Sequence, residues 1–185
     1  MTPSDINQGD SHRRIAIISD THGIINQNIL DVVKTCDRVI HAGDICGAHV
    51  LTQLEEVCPQ ITAVRGNNDA PELWAENEAE IVAQIPSIAE IELPGGTLCI
   101  EHGHNHGMHQ PKHSSLRQSH PNARVIVYGH THIMIVDDEI SPWVINPGAA
   151  GTTRTNGGPS CMVLTAYADR DWDIEMLRFD EEEVA

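Results

Sequence analysis

The sequence predicts an α/β fold in which two mixed β-sheets pack face to face, flanked by helices. Three observations predict it. The chain opens on a β-α-β-α-β pattern, which implies parallel strands with right-handed crossovers. Its apolar runs are continuous rather than alternating, as expected of strands buried on both faces. Beyond Ile85 the pattern shifts to short strands bounded by turn signals, which suits further, largely antiparallel pairing.

Taken in order, Arg13–Ser19 reads as the first strand, carrying Ile15-Ala16-Ile17-Ile18. Asn28–Cys36 reads as a helix with Ile29, Leu30, Val32 and Val33 toward the sheet, and Arg38–His41 as the next strand. Ala48–Val57 is a second helix, stopped near Pro59, which cannot donate a helical N–H. Ile61–Arg65 is the third strand. Glu80–Ile85, Ile88–Leu93 and Thr97–Glu101 read as short strands, with Pro94-Gly95-Gly96 as a turn. Gly103–His120 is rich in His, Gln and Ser, and reads as a long loop with one helical turn after Pro111. Arg124–Tyr128 is another buried strand. His132–Glu139, Trp143–Ile145, Cys161–Tyr167 and Trp172–Phe179 complete the set, mainly antiparallel. Residues 1–12 read as a flexible extension, 13–180 as one domain and 181–185 as an acidic tail.

At 185 residues the chain is long enough to bury a core without disulfides or a structural metal. Only 3% of it is aromatic, so Val, Ile, Leu and Ala must fill that core. The formal charge of −16 argues against nonspecific nucleic-acid binding and against an anionic membrane surface, since both need basic patches. It does not argue against a phosphate substrate, because bound divalent ions dominate the local field. The five cysteines (Cys36, Cys46, Cys58, Cys99 and Cys161) are odd in number, widely spaced and without C-x-x-C. Reduced thiols in a cytoplasmic protein are expected, rather than a disulfide framework. Met1–Arg14 lacks the apolar stretch of a signal peptide, and no segment approaches membrane-spanning length.

Five polar motifs follow the apolar runs: Asp20-Thr21-His22, Gly43-Asp44, Gly66-Asn67-Asn68-Asp69, His102-Gly103-His104 and Gly129-His130-Thr131-His132. Taken singly, most of them are ordinary turn-forming strings. Their joint placement at strand ends carries the argument, because open α/β sheets bind ligands outside the carboxyl ends of their strands. Carboxylate, imidazole and amide oxygen together are the donor mix of a divalent-metal site. There are enough of them for two ions, which in two-metal hydrolases sit about 3.5–4 Å apart.

The set, in this order, resembles the calcineurin-like metallophosphoesterase superfamily over about residues 13–180. It is most similar to the small single-domain bacterial and archaeal phosphodiesterase branch, whose retromer-subunit relatives share the fold. Asn146-Pro147-Gly148 fits that branch too. The resemblance implies a four-layer α-β-β-α arrangement and two divalent ions. Manganese is expected first, with nickel, iron or zinc as alternatives, since an N/O donor set without thiolate suits manganese or iron at least as well as zinc. Asp20, His22, Asp44 and His132 would hold the first ion. Asp44 would bridge to the second, which Asn67, His102 and His130 would complete. Asn67 would also orient the phosphate, and Asp69 would steady its turn from behind. The implied reaction is hydrolysis of a phosphodiester, small or nucleotide-like, by in-line attack of a hydroxide bridging the ions.

Two departures qualify this. Many superfamily members follow the G-N pair with a histidine that acts as general acid. Here Asn68 stands in that place, and it donates a hydrogen bond but not a proton. Good leaving groups are then expected, or a proton from His104 or solvent. After Asn146-Pro147-Gly148 the family often has serine and a Pro-Arg or Pro-Lys pair; here Ala149-Ala150-Gly151-Thr152-Thr153-Arg154 follows, leaving Arg154 to approach substrate. His106, His109 and His113 read as a solvated loop around the cleft, and Cys46 as a buried thiol. Two alternatives stay open: a non-catalytic protein-binding scaffold on the same fold, and a phosphomonoesterase. Relatives form dimers and tetramers, so the resemblance also allows a homo-oligomer.

Overall fold

The computed structural model describes residues 12–107 and 109–180. The acidic tail (181–185) and all but the last residue of the N-terminal extension lie outside the described residues. The chain runs β1 (Arg13–Ile18), α1 (Gln27–Val33), β2 (Arg38–His41), α2 (Ala48–Val57), β3 (Ile61–Ala63), α3 (Ala79–Gln84), β4 (Ile88–Leu93), β5 (Gly96–Glu101), α4 (His113–Ser119), β6 (Val125–Val127), β7 (Met134–Asp137), β8 (Trp143–Pro147), β9 (Ser160–Ala166) and β10 (Asp173–Arg178). One sheet has the order β10-β9-β1-β2-β3 and the other β4-β5-β6-β8-β7. β1, β2 and β3 are parallel, as are β5, β6 and β8. β4, β7, β9 and β10 join antiparallel.

The two-residue period of the strands sorts their side chains into layers. In β1, Ile15 and Ile17 face the other sheet and pack with Leu98, Ile100, Val127 and Leu164. Ala16 and Ile18 face away and pack beneath the helices with Ile29, Val33, Val50 and Leu54. Across the molecule, Leu116 of α4 covers Ile126, Tyr128 and Val144 of the second sheet. The result is the four-layer α-β-β-α arrangement. Both faces of the central strands are buried, which is why their sequences are apolar without alternation.

Local chemistry sets the helix boundaries. Asn26 caps α1, its Oδ1 accepting from Asn28 N at 3.0 Å, as N-cap asparagines do. In α2, Val50 and Leu54 are one turn apart and fully buried. Two expectations are corrected. Glu80–Ile85 is not a strand but α3, entered through a 3-10 turn at Glu76–Glu78. Val82 and Ile85 are buried while Ile81 is exposed, a three-residue spacing, and Ala, Glu and Gln favour helix. The loop after Gly103 holds more structure than one helical turn: a 3-10 turn at His104–His106 and the seven residues of α4. Buried Leu116 supplies the anchor that its polar composition concealed. No helix among the described residues is long and apolar enough to cross a membrane.

Ile17 is fully buried between the sheets. Ile17→Ala is expected to lower unfolding stability by about 2–5 kcal/mol, read as a fall in urea midpoint at constant slope. A loss below about 1 kcal/mol would contradict this core.

Candidate metal centre

The five motifs lie at the carboxyl ends of β1, β2, β3, β5 and β6. Hydrogen bonding continues past the strands, with Asp20 N donating to Gly43 O (2.9 Å), His22 N to Asp44 O (3.0 Å) and Gly23 N to Ile45 O (2.8 Å). The ends curl so tightly that Asp20, His22, Asp44, His130 and His132 all adopt positive φ, between 47° and 69°. Side chains with Cβ resist this region, Asp and His less than most. Such strain persists only where the surroundings hold it. Glycine is required where backbone meets the acidic side chains: a Cβ on Gly66 would lie 2.1 Å from Asp44 Oδ1, and one on Gly129 would lie 2.8 Å from Asp20 Oδ2.

Asp20, His22 and His132 each bring a ligand atom within 4.8 Å of the others, and so do Asp20, Asp44 and His102. Asp20 thus belongs to both groups. His132 Nε2 is 3.3 Å from Asp20 Oδ1, His102 Nε2 is 3.3 Å from Asp44 Oδ1, and His22 Nε2 is 3.8 Å from Asp44 Oδ2. Outward-facing nitrogens fix the histidine tautomers. His102 Nδ1 donates to Ala42 O at 2.8 Å and His132 Nδ1 to Arg154 O at 2.9 Å. When neutral, each ring therefore turns an Nε2 lone pair inward, the arrangement of metal-ligating histidine.

The cluster gathers buried carboxylates and imidazoles. Asp20 Oδ1 and His102 Nε2 are buried and make no hydrogen bond, although such atoms are normally satisfied. A divalent cation satisfies both, so the residues fit one. The charge balance agrees. Burial raises the Asp44 pKa, but His102 and two hydrogen bonds from Asn68 outweigh it and hold the carboxylate well below its usual range. Burial opposes a charge on His102, yet Asp44 and Asp20 prevail and push it up to about 9.

Asn67 and His130 stand beside this cluster, Asn67 Oδ1 lying 3.0 Å from His130 Nδ1. They line a cleft of about 590 Å³ with His104, Asn105 and Gly107. His104 has a buried Nδ1 without a hydrogen bond, and burial, then His102 and His130, lower its pKa. Asp69 does not open to the cleft. Its oxygens accept from Ile45 N (3.0 Å), Cys46 N (2.9 Å), Gly66 N (2.8 Å) and Trp74 Nε1 (3.2 Å). It ties the Gly43-Asp44 loop to the Gly66-Asn67 loop. Arg154 reaches His22, with Nη2 2.8 Å from Nε2. Cys46 Sγ is 3.7 Å from His22 Nδ1.

Three contributors were not legible as such. Asn68, in the place of the general acid, donates to both oxygens of Asp44, from N at 2.9 Å and Nδ2 at 2.7 Å. Asn146, fully buried, donates from Nδ2 to Gly129 O at 2.6 Å and so braces the His130–His132 loop. His41, also fully buried, accepts from Gly43 N (3.2 Å) and meets Thr21 Oγ1 (2.9 Å), which donates on to Ile45 O (3.1 Å). The signal available for His41 was its position closing an apolar strand, where a buried imidazole needs partners. His106 and His113 are likewise not simply solvated. His106 contacts Glu101 (3.0 Å) and Ser115 (2.7 Å), and His113 contacts Asp137 (2.6 Å).

Residues 14–169 match the calcineurin-like phosphoesterase superfamily domain. The chain belongs to that superfamily. A phosphodiesterase of Methanocaldococcus jannaschii is 30% identical over 146 residues, covering 73% of this chain and 82% of that one. An archaeal phosphodiesterase of solved structure has a TM-score of 0.64 at 25% identity, covering 89% and 99% of the two chains. Vps29 of Cryptosporidium parvum has a TM-score of 0.72 at 18% identity, covering 92% and 100%; at that identity the likeness is one of fold.

Burial, against the opposing pull of Asp69 and Asp20, lowers the His41 pKa to about 4, against about 6.5 in an unfolded chain. The unfolded chain therefore binds the extra proton, so this contribution is complete above pH about 6.5 and is lost as pH falls toward 4. In metal-free protein, His41→Gln is expected to flatten the decline in urea midpoint across that window. An unchanged decline would mean that His41 is not held neutral.

Proposed function

We propose that this chain is a divalent-metal-dependent phosphodiesterase with a dinuclear centre. The observation that carries the proposal is the cluster of buried carboxylates and imidazoles in which Asp20 Oδ1 and His102 Nε2 lack hydrogen bonds. Asp20, His22, Asp44, His102 and His132 would hold the ions, and Asn67 with His130, 3.0 Å apart, would complete the second position. Manganese suits this N/O set, with nickel, iron and zinc as alternatives. When bound, divalent ions lower the pKa of a coordinated water and neutralise charge developing on phosphoryl oxygens.

The remaining work falls to side chains. Asn68 holds both Asp44 oxygens and keeps that carboxylate ionised. Asn67 lines the cleft, and its amide nitrogen would donate to a phosphoryl oxygen. Arg154, beside His22, would offer a guanidinium to the same negative charge. His104 lines the cleft, and its lowered pKa makes it a hydrogen-bonding neutral imidazole rather than an acid at neutral pH. Preference for good leaving groups follows.

The scaffold reading draws on the likeness to Vps29, but every ligand position that the family pattern implies keeps a residue able to ligate. One experiment separates the readings. Metal-stripped protein is offered an aryl phosphodiester and the matching monoester, with manganese, nickel, iron or zinc returned. Diesterase activity is expected only with metal, and Asp44→Asn is expected to lose more than about 100-fold, the upper range for an outer-sphere partner. Faster monoester cleavage would favour a phosphomonoesterase. Folded, metal-loaded protein inert toward both esters would overturn the catalytic reading. His104→Ala is expected to slow aryl diester cleavage by less than about 10-fold, against 10²–10⁴ for a general acid; a larger loss would make His104 the proton donor.

A further inference from the structure

A second group of donors sits on the outer face of the β4-β5 pair. The antiparallel register sets Glu90 opposite Cys99. Ile91, Leu93, Leu98 and Ile100 turn into the inter-sheet core, so the alternate residues Glu90, Cys99 and Glu101 point outward, toward α4. There His120, the residue closing α4, lies over them. His120 Nδ1 is 3.1 Å from Cys99 Sγ, and its Nε2 is 2.7 Å from Glu101 Oε1. One ligand atom each from Glu90, Cys99 and His120 lies within 4.8 Å of the others.

The hydrogen bonds already impose the tautomer that a metal needs. Glu101 accepts from His120 Nε2, so His120 turns the lone pair of Nδ1 toward Cys99. Glu101 is itself held by His106 Nε2 at 3.0 Å. A carboxylate behind an imidazole, and that imidazole facing a thiol, is the outer-sphere support typical of a ligating histidine. Thiolate, imidazole and carboxylate are a tetrahedral zinc set with its fourth position open. Glu90 is exposed and opens with His120 onto a pocket of about 160 Å³, room for water in that position. A reactive-thiol reading is disfavoured. Burial, then Glu90 and Glu101, push the Cys99 thiol up to about 12, whereas reactive cysteines have depressed values.

We propose that Glu90, Cys99 and His120 form a mononuclear zinc site on the outer face of the second sheet, sharing no ligand with the strand-end cluster. Zinc displaces the thiol proton to solvent, and joins β4, β5 and the end of α4. Nothing in this depends on the activity proposed above.

The test uses the full chain loaded with excess zinc or cobalt and desalted. Wild type is expected to retain one more zinc per chain than Cys99→Ser. Cobalt-loaded wild type is expected to show near-ultraviolet thiolate-to-cobalt absorption. Because Cys46 lies near His22, Cys46→Ser is the control: the band persists there and vanishes in Cys99→Ser. Glu90→Gln, at an exposed position, is expected to weaken zinc binding at this site at least about 10-fold. Absence of the band in folded, cobalt-loaded wild type, or its survival in Cys99→Ser, overturns the proposal. Should Cys99→Ser not fold, Glu90→Gln decides, and unchanged zinc affinity there overturns it.

Discussion

Two buried carboxylates, Asp20 and Asp44, face inward-turned imidazole nitrogens with almost no donors between them. Negative charge of this density is costly away from water unless it is paired. Backbone and amide donors meet part of the cost: His130 N reaches Asp20 Oδ2 at 3.0 Å, and Asn68 takes both oxygens of Asp44. A raised His102 pKa meets another part. What remains is a demand for cations at the point where the strand ends meet.

The loops are built to resist that same repulsion. Five of the candidate ligands sit at positive φ, and none of these conformations is supported by its own residue alone. Asp69 gathers amides from two loops, His41 clasps the first loop to the second, and Asn146 braces the last. Each brace joins segments distant in sequence. The candidate ligands come from both sheets: β1, β2 and β3 lead to Asp20, His22, Asp44 and Asn67, while β5 and β6 lead to His102, His130 and His132. The cluster therefore exists only once the sheets have packed, and the inter-sheet core of Ile15, Ile17, Leu98, Ile100 and Val127 is a condition of the proposed function as well as of stability.

The register of β5 serves both sides of the second sheet. Cys99 and Glu101 point outward to His120, while His102, the next residue, closes the strand into the cleft. A slip of one residue would exchange these faces. Leu98 and Ile100, fully buried between the sheets, are what prevent it. Apolar packing thus fixes the placement of the polar groups on either side of it.

Much of this was legible in the chain itself. Apolar runs closed by Asp20, Asp44, Asn67, His102 and His130 are local patterns, and they give the strands, the parallel opening and the candidate donors without tertiary information. Where a short segment carries both signals, the pattern failed: Ala79–Gln84 holds the residues of a strand or a helix, and burial of Val82 and Ile85 on one side decided for the helix. The pairings were beyond the sequence altogether. That Asn68 would turn onto Asp44, His41 onto Thr21 and His120 between Cys99 and Glu101 depends on rotamers and on approaches across 19 to 24 residues. Which chemistries stand at the strand ends is readable along the chain, because apolar periodicity and turn residues are properties of neighbours. Which donor meets which acceptor emerges with packing, because hydrogen bonds and donor distances are set by how the two sheets bring separate loops together.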